Sequence, residues 1–275
     1  MKIQFWKLSG AGNDFIAFDN RKGAIQEGNK SALAKNLCRR GLSIGADGLL
    51  LIEPSSQASF TMRIFMPDGS EAETCGNAAR CVARLAHKLR IAPRKMSFET
   101  RAGVYHAETR GDRARVSMTD PRDLKINIHL QEPGISIPEA HFINTGVPHV
   151  VLFVKNLDRQ DVVGIGKRIR RHPAFQPAGT NVNFVEPQDA HHIRIRTYER
   201  GVEDETLACG TGCIASAIVA AHFGFVKSPT HLETKSGITN TIHFKPEGGL
   251  FTNIELEGEA RIVFKGEIDL NLENP

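Results

Sequence analysis

Two four-residue turns hold the residues best suited to chemistry. Cys75-Gly76-Asn77-Ala78 and Cys209-Gly210-Thr211-Gly212 each place a thiol directly ahead of an alanine-rich run. A cysteine at the entrance of a helix sits among backbone N–H groups that lack an intrahelical partner, beside the positive end of the helix dipole. Such surroundings favour a thiolate and lower the thiol pKa from about 8.5 to roughly 3.5–7.5. The same N–H groups, from Gly76, Asn77, Gly210 and Thr211, can hold a carboxylate or an oxyanion. Two such helices aimed at one cleft would grip a substrate carboxylate from both sides, with a thiol on either side of its α-carbon. That geometry suits removal of a proton from one face and return of a proton to the other. A single buried cysteine is by default a small hydrophobe. Packing alone, however, is served equally well by Ala and does not require Gly as the next residue.

Two other polar residues stand in suggestive loops: His149 after Pro148, and Glu199 before Arg200. A two-thiol scheme needs one thiol ionised and the other protonated, and a neighbouring base for each would poise them. The glycine-rich stretch Ser9-Gly10-Ala11-Gly12-Asn13-Asp14 fits neither a dinucleotide nor a phosphate-loop pattern. It reads either as a tight turn or as a loop whose backbone approaches a ligand while Asn13 offers its amide. Cys81 and Cys213 lie inside the helices and read as core, as does Cys38. Cys209 and Cys213 have too few nearby ligands to make a metal pair.

The elements that carry these residues occur twice. The offset between the two cysteines is 209 − 75 = 134, and it also superposes Gly45 on Gly179, Ala83 on Ala217, and Glu99-Thr100-Arg101-Ala102-Gly103 on Glu233-Thr234-Lys235-Ser236-Gly237. One offset kept through turn, helix and strand implies two homologous halves. In the first half, strands are expected at 2–8, 15–18, 49–52, 60–65, 96–100, 104–108 and 114–118, with helices over 31–40 and 77–89. In the second, 142–146 reads as the approach to a loop, with strands at 150–154, 182–186 and 192–198. Helices follow over 165–171 and 212–223, an acidic loop spans Glu203-Asp204-Glu205, and three or four strands come after Lys227. The runs beginning at Asn77 and Gly212 are apolar enough to be central helices wrapped by strands. The fold class is therefore α/β of the α+β kind: two pseudo-symmetric halves, 1–125 and 126–275, with the last strands able to cross back. The boundary falls near 119–140, where Pro121, Pro133 and Pro138 cluster.

Length and composition fit this plan. The chain has 275 residues, 40% hydrophobic and 24% charged, which is globular and long enough for two domains. A formal charge of +4 spread over scattered basic runs, with one Trp and two Tyr to stack bases, argues against nucleic acid. No run has the length of a signal peptide or a membrane span, so a soluble cytoplasmic protein is expected. Five cysteines without a CxxC pair argue against a disulfide framework or a structural zinc site, and reduced thiols are expected.

At these residues the chain resembles the diaminopimelate epimerases, which invert one α-carbon of LL-2,6-diaminopimelate to give the meso form without a cofactor. Ser9 to Phe15, Gly45 to Leu49, Asp68 to Cys81, Gly146 to His149, Gly179 to Phe184 and Tyr198 to Gly212 all stand in family order. Either cysteine motif alone would also suggest the proline racemases or the phenazine-biosynthesis isomerases. The resemblance implies two α/β halves, each a mainly antiparallel sheet around a central helix, with the active site in the cleft between them. It makes Cys75 and Cys209 the acid/base thiols, with His149 and Glu199 setting their protonation. Gly76, Asn77, Gly210 and Thr211 would hold the reacting carboxylate, and Asn13 and Glu199 its amine. Asn181 and Arg200 would read the far end, where a guanidinium can clamp a carboxylate. It further implies a diamino dicarboxylic acid substrate, no metal, no other cofactor and a homodimer. Met66 and Val147, at positions that look like contacts to the far end, stand where the family commonly has Asn; a milder departure is Gly48, where part of the family has Gln. The loop Glu203-Asp204-Glu205 is one residue longer than usual. An epimerase of another amino acid and a catalytically idle amino-acid-binding relative are the alternative readings.

Overall fold

The computed structural model describes residues 2–73, 75–131 and 139–269. Pro133 and Pro138 of the expected boundary lie outside the described residues. The chain forms two compact units, one made of residues up to Ser117 and from Glu257 onward, the other of Met118–Leu256. The division falls ahead of residue 125 because Met118 N–H donates to Ile254 O at 2.8 Å and the segment after it pairs within the second unit.

In the first unit β1 (Lys2–Gly10) and β2 (Asn13–Asp19) form a hairpin. Its two turn residues, Ala11 and Gly12, have φ of 53° and 101°. A two-residue turn of positive φ matches the right-handed twist of the strands it joins. The glycine-rich stretch is thus a tight hairpin turn that starts β2 at Asn13. Helix α1 (Glu27–Leu37) begins and ends earlier than the expected 31–40: Glu27 suits the positive end of the dipole, and Leu37 O accepts Gly45 N–H at 2.8 Å. β3 (Gly48–Glu53) runs parallel to β2, and β4 (Thr61–Phe65) and β5 (Glu71–Ala72) follow antiparallel.

Alternation then assigns the faces. Ile16, Phe18, Leu49 and Leu51 pack with Leu33, Ala34 and Leu37 of α1. The intervening Phe15, Ala17, Leu50 and Ile52 are buried on the opposite face. That face meets α2 (Gly76–Lys88), where buried Ala78, Ala79, Ala83 and Ala86 let strands approach closely. β6 (Lys95–Thr100), β7 (Gly103–Arg110) and β8 (Arg113–Ser117) continue as antiparallel neighbours.

The second unit repeats the design. β9 (Arg122–Ile128) pairs with β10 (Ala140–Asn144), which hairpins into β11 (Pro148–Phe153). Residues expected as a loop approach, Phe142 to Asn144, are therefore strand, held by pairing on both sides. Helix α3 (Val162–Arg171) is capped by Asp161, whose carboxylate accepts Gly164 N–H at 2.8 Å. β12 (Asn181–Pro187) is parallel to β11, and β13 (His192–Glu199) and β14 (Asp204–Thr206) are antiparallel. The acidic loop thus ends in a short strand, where Glu205 meets Arg196 at 2.6 Å. Val150, Leu152, Val182 and Phe184 face α3, whereas Val151, Val185, Ile193 and Ile195 face α4 (Gly210–His222), a helix buried without a break from Gly212 to Ala220. β15 (Thr230–Glu233), β16 (Thr239–Glu247) and β17 (Leu250–Glu259) complete the wrap, and β18 (Arg261–Asp269) returns to pair antiparallel with β1.

The order strand, strand, helix, strand, strand, short strand, helix, with a parallel second and third strand, occurs in both units. Gly45 and Gly179, superposed by the sequence offset, both take left-handed conformations, with φ of 73° and 64°. Among the described residues no helix is long and apolar enough to cross a membrane.

Candidate functional site

In the first unit Cys75 is the residue before the first turn of α2, with extended backbone at φ −152° and ψ 121°, and it is half-buried. Its carbonyl accepts Ala79 N–H at 2.8 Å, so the helix starts beside the thiol. The N–H groups of Gly76 and Asn77 fall in the first turn, where no carbonyl four residues back can accept them. Asn77 is tied to the β1–β2 turn: its Nδ2 donates to Asn13 Oδ1 at 2.7 Å, and Asn13 Nδ2 donates to Asp47 Oδ2 at 3.0 Å. Buried Arg80 donates to Asn77 Oδ1 at 2.9 Å. Asp47 meets Arg40 at 2.6 Å, and Asp14 pairs with Lys7 at 2.7 Å and with Arg40. Burial works against the Asp14 carboxylate, yet the hydrogen bonds from Arg40 and Lys7 prevail and hold it below the usual carboxylate range. One polar network thus ties Asn77, two residues after Cys75, to Asn13.

In the second unit Cys209 stands in the equivalent place before α4, at φ −123° and ψ 112°. Its Sγ accepts Gly212 N–H at 3.4 Å and lies 3.4 Å from Thr211 Oγ1. A helix start by itself lowers a thiol pKa, and Cys209 departs from that rule. Burial, with the Glu199 charge behind it, outweighs the bonds from Thr211 and Gly212 and pushes the thiol up. Cys209 is a neutral thiol at neutral pH. The dipole alone does not decide ionisation where water is excluded. Cys81 is fully buried, and burial pushes its thiol up to about 12; it fills core, as do Cys38 and Cys213.

Strand parity gathers the other residues near the start of α4. His149 and Val151 of β11 share a face, as do Asn181, Asn183 and Val185 of β12, and Ile195, Thr197 and Glu199 of β13. Val151, Val185 and Ile195 mark it as the α4 face. His149 is no loop histidine: it is fully buried, paired in register with Asn181. Burial and then the Arg200 charge hold its pKa down at about 3, so it is a neutral imidazole of low basicity. Asn181 donates to Pro148 O at 3.0 Å and accepts Arg200 N–H at 2.8 Å, while the Arg200 guanidinium donates to Ala178 O at 2.8 Å. Glu199 accepts Thr206 Oγ1–H at 2.9 Å. Met66 is 37% exposed and Val147 half-buried, and neither offers a hydrogen-bonding side chain. Sequence reasoning missed Asn183, fully buried and bonded to the His149 ring at 3.1 Å. Its signal was a lone amide among Val182, Phe184 and Val185.

The sequence pattern of the family described as Diaminopimelate epimerase matches residues 5–124 and 141–263. The chain belongs to the diaminopimelate epimerase family. A relative so named from Aquifex aeolicus is 40% identical over 277 residues, covering 97% of this chain and 98% of its own. Another from Methanothrix thermoacetophila is 44% identical over 278 residues, covering 97% and 96%. Among solved structures, a Bacillus anthracis phenazine biosynthesis protein of the PhzF family matches with a TM-score of 0.74 at 16% identity, covering 98% of this chain and all (100%) of that one. A probable proline racemase from Agrobacterium radiobacter matches with a TM-score of 0.70 at 15% identity, covering 99% and 94%. These structural likenesses establish the two-half fold.

Proposed function

We propose that this protein inverts one α-carbon of LL-2,6-diaminopimelate to give the meso form, with Cys75 and Cys209 serving opposite faces of that carbon. The observation that carries the reading is the equivalence of the two thiols: each precedes the first turn of a central helix in its own copy of one fold. Cys209 is the neutral thiol and gives a proton; Cys75, in thiolate form, takes the α-hydrogen as a proton and leaves the electron pair on the α-carbon and its carboxylate. The helix-start N–H groups of Gly76, Asn77, Gly210 and Thr211 hold that carboxylate, which gains charge as the proton leaves. Protonation by Cys209 from the other face completes inversion and leaves Cys75 as thiol and Cys209 as thiolate, ready for the reverse reaction or for exchange with solvent. The charge of Glu199 favours the protonated form of Cys209 and so supports this division of labour.

Asn13 and Glu199 hold the reacting amine, and Asn181 and Arg200 the distal head group. The homodimer implied by the resemblance, placed in the cytoplasm, is part of the same reading, and its mass in sedimentation would be twice 30.2 kDa. Incubation of the purified, reduced protein with LL-2,6-diaminopimelate alone, followed by chiral chromatography, tests the activity. Conversion to the meso form is expected. Conversion of a different amino acid with diaminopimelate untouched would reassign the substrate and place the reason at Met66 and Val147. Turnover of no amino acid would support a binding protein.

A further inference from the structure

Asn183 sits at the centre of a buried polar cluster, and its orientation is uniquely determined. Its Nδ2 lies 2.9 Å from Val150 O and 3.1 Å from His149 Nδ1. A backbone carbonyl only accepts, so the amide must turn its NH2 toward β11. Its Oδ1 then accepts the hydroxyl of Thr197 at 3.0 Å. With both Nδ2 hydrogens committed, His149 Nδ1 is an acceptor, and the single proton of the neutral ring stands on Nε2. That atom is buried and has no hydrogen-bond partner among the described residues. Leaving a buried donor unpaired is unfavourable, and a substrate acceptor would remove that penalty.

The same amide is keyed into the cysteine turn. A Cβ on Gly212 would stand 2.4 Å from Asn183 Oδ1 and 3.3 Å from Cys209 Cβ. Only glycine at that position lets Asn183 reach β11 while the first turn of α4 passes over it. The N–H of Gly212 meanwhile bonds Cys209 Sγ at 3.4 Å.

We propose that Asn183 is a positioning residue which locks His149 as the Nε2–H tautomer, making it a hydrogen-bond donor to the bound amino acid. This deepens the proposed function and rests on it for the identity of the acceptor, whereas the tautomer itself can be measured without any substrate. His149 then serves by donating from a neutral ring, and it takes no proton from either thiol. Arg200, whose charge disfavours a protonated ring, acts in the same direction.

Ring-nitrogen NMR of the ¹⁵N-labelled full chain, with His149→Asn used to assign the signals, tests the proposal. The expected spectrum shows a protonated Nε2 and an unprotonated, hydrogen-bonded Nδ1. Asn183→Asp keeps the side-chain shape but presents an acceptor to Nδ1; the ring proton is expected to move there, and kcat to fall about 100-fold with KM nearly unchanged. A wild-type ring protonated on Nδ1 would overturn the proposal whether or not any variant folds. Full kcat in Asn183→Asp, with the proton shown to have moved, would overturn it too. A protein with the expected tautomer and no turnover of diaminopimelate would instead fault the assigned substrate.

Discussion

Cys209→Ala is expected to lower kcat by about 100- to 10,000-fold with the fold retained, and Cys75→Ala to do the same, because a positioned acid or base contributes that much and the proposed scheme gives each thiol its own proton transfer. Stability should change little. Cys209 is buried, but loss of one sulfur from a side chain this small costs about 1–2 kcal/mol against a total of roughly 5–15 kcal/mol. The bond it loses, from Gly212 N–H to the thiol sulfur, is weak, and the carbonyl that starts the helix ladder is kept. Circular dichroism and thermal melting separate inactivity from unfolding. A folded single variant with wild-type turnover would remove that thiol from the mechanism.

The second large effect concerns acid stability. The imidazole of His149 titrates near 6.5 in an unfolded chain and at about 3 when folded. Between those values the unfolded chain binds a proton that the folded one excludes, so unfolding becomes progressively more favourable as the pH falls. The contribution is fully present above about 6.5 and lost as the pH drops toward the folded value; from pH 7 to pH 4 the loss is about 3 kcal/mol from this one group. His149→Asn keeps an acceptor where Nδ1 stands but has nothing to titrate. Urea unfolding at both pH values should show wild type losing about 3 kcal/mol more than the variant over that interval. Parallel losses would mean that the folded protein takes up the proton as readily as the unfolded one.

The double fold could be read from the sequence because its two copies keep one register, and Gly45 and Gly179 mark the same left-handed position in each. The central helices were visible because alanine and glycine are placed where strands pass close. Pairing partners were not. β9 is largely exposed and sits among prolines, so nothing local distinguishes it from a linker until β10 is seen beside it. The burial of His149 was hidden for a related reason: Pro148 suggests a loop, but it opens β11, and only the parallel neighbour β12 encloses the ring. Asn183 shows what a residue-by-residue reading loses, since its role depends on Val150, Thr197 and Gly212, which are distant in sequence. The ionisation of Cys209 was likewise beyond local inference. The dipole is a property of the helix it starts, whereas burial and the charge of Glu199 come from the surrounding strands.

The central claim, that separate thiols serve the two faces of one carbon, is tested most directly in deuterium oxide. LL-2,6-diaminopimelate is turned over to low conversion by the reduced wild-type protein, and the remaining substrate and the product are separated and analysed by mass spectrometry. Two thiols acting on opposite faces predict one deuterium in the meso product, delivered from a solvent-equilibrated donor, and protium retained in the recovered LL substrate. Deuterium in the recovered substrate to the same extent as in the product would mean one base serving both faces, and would contradict the account.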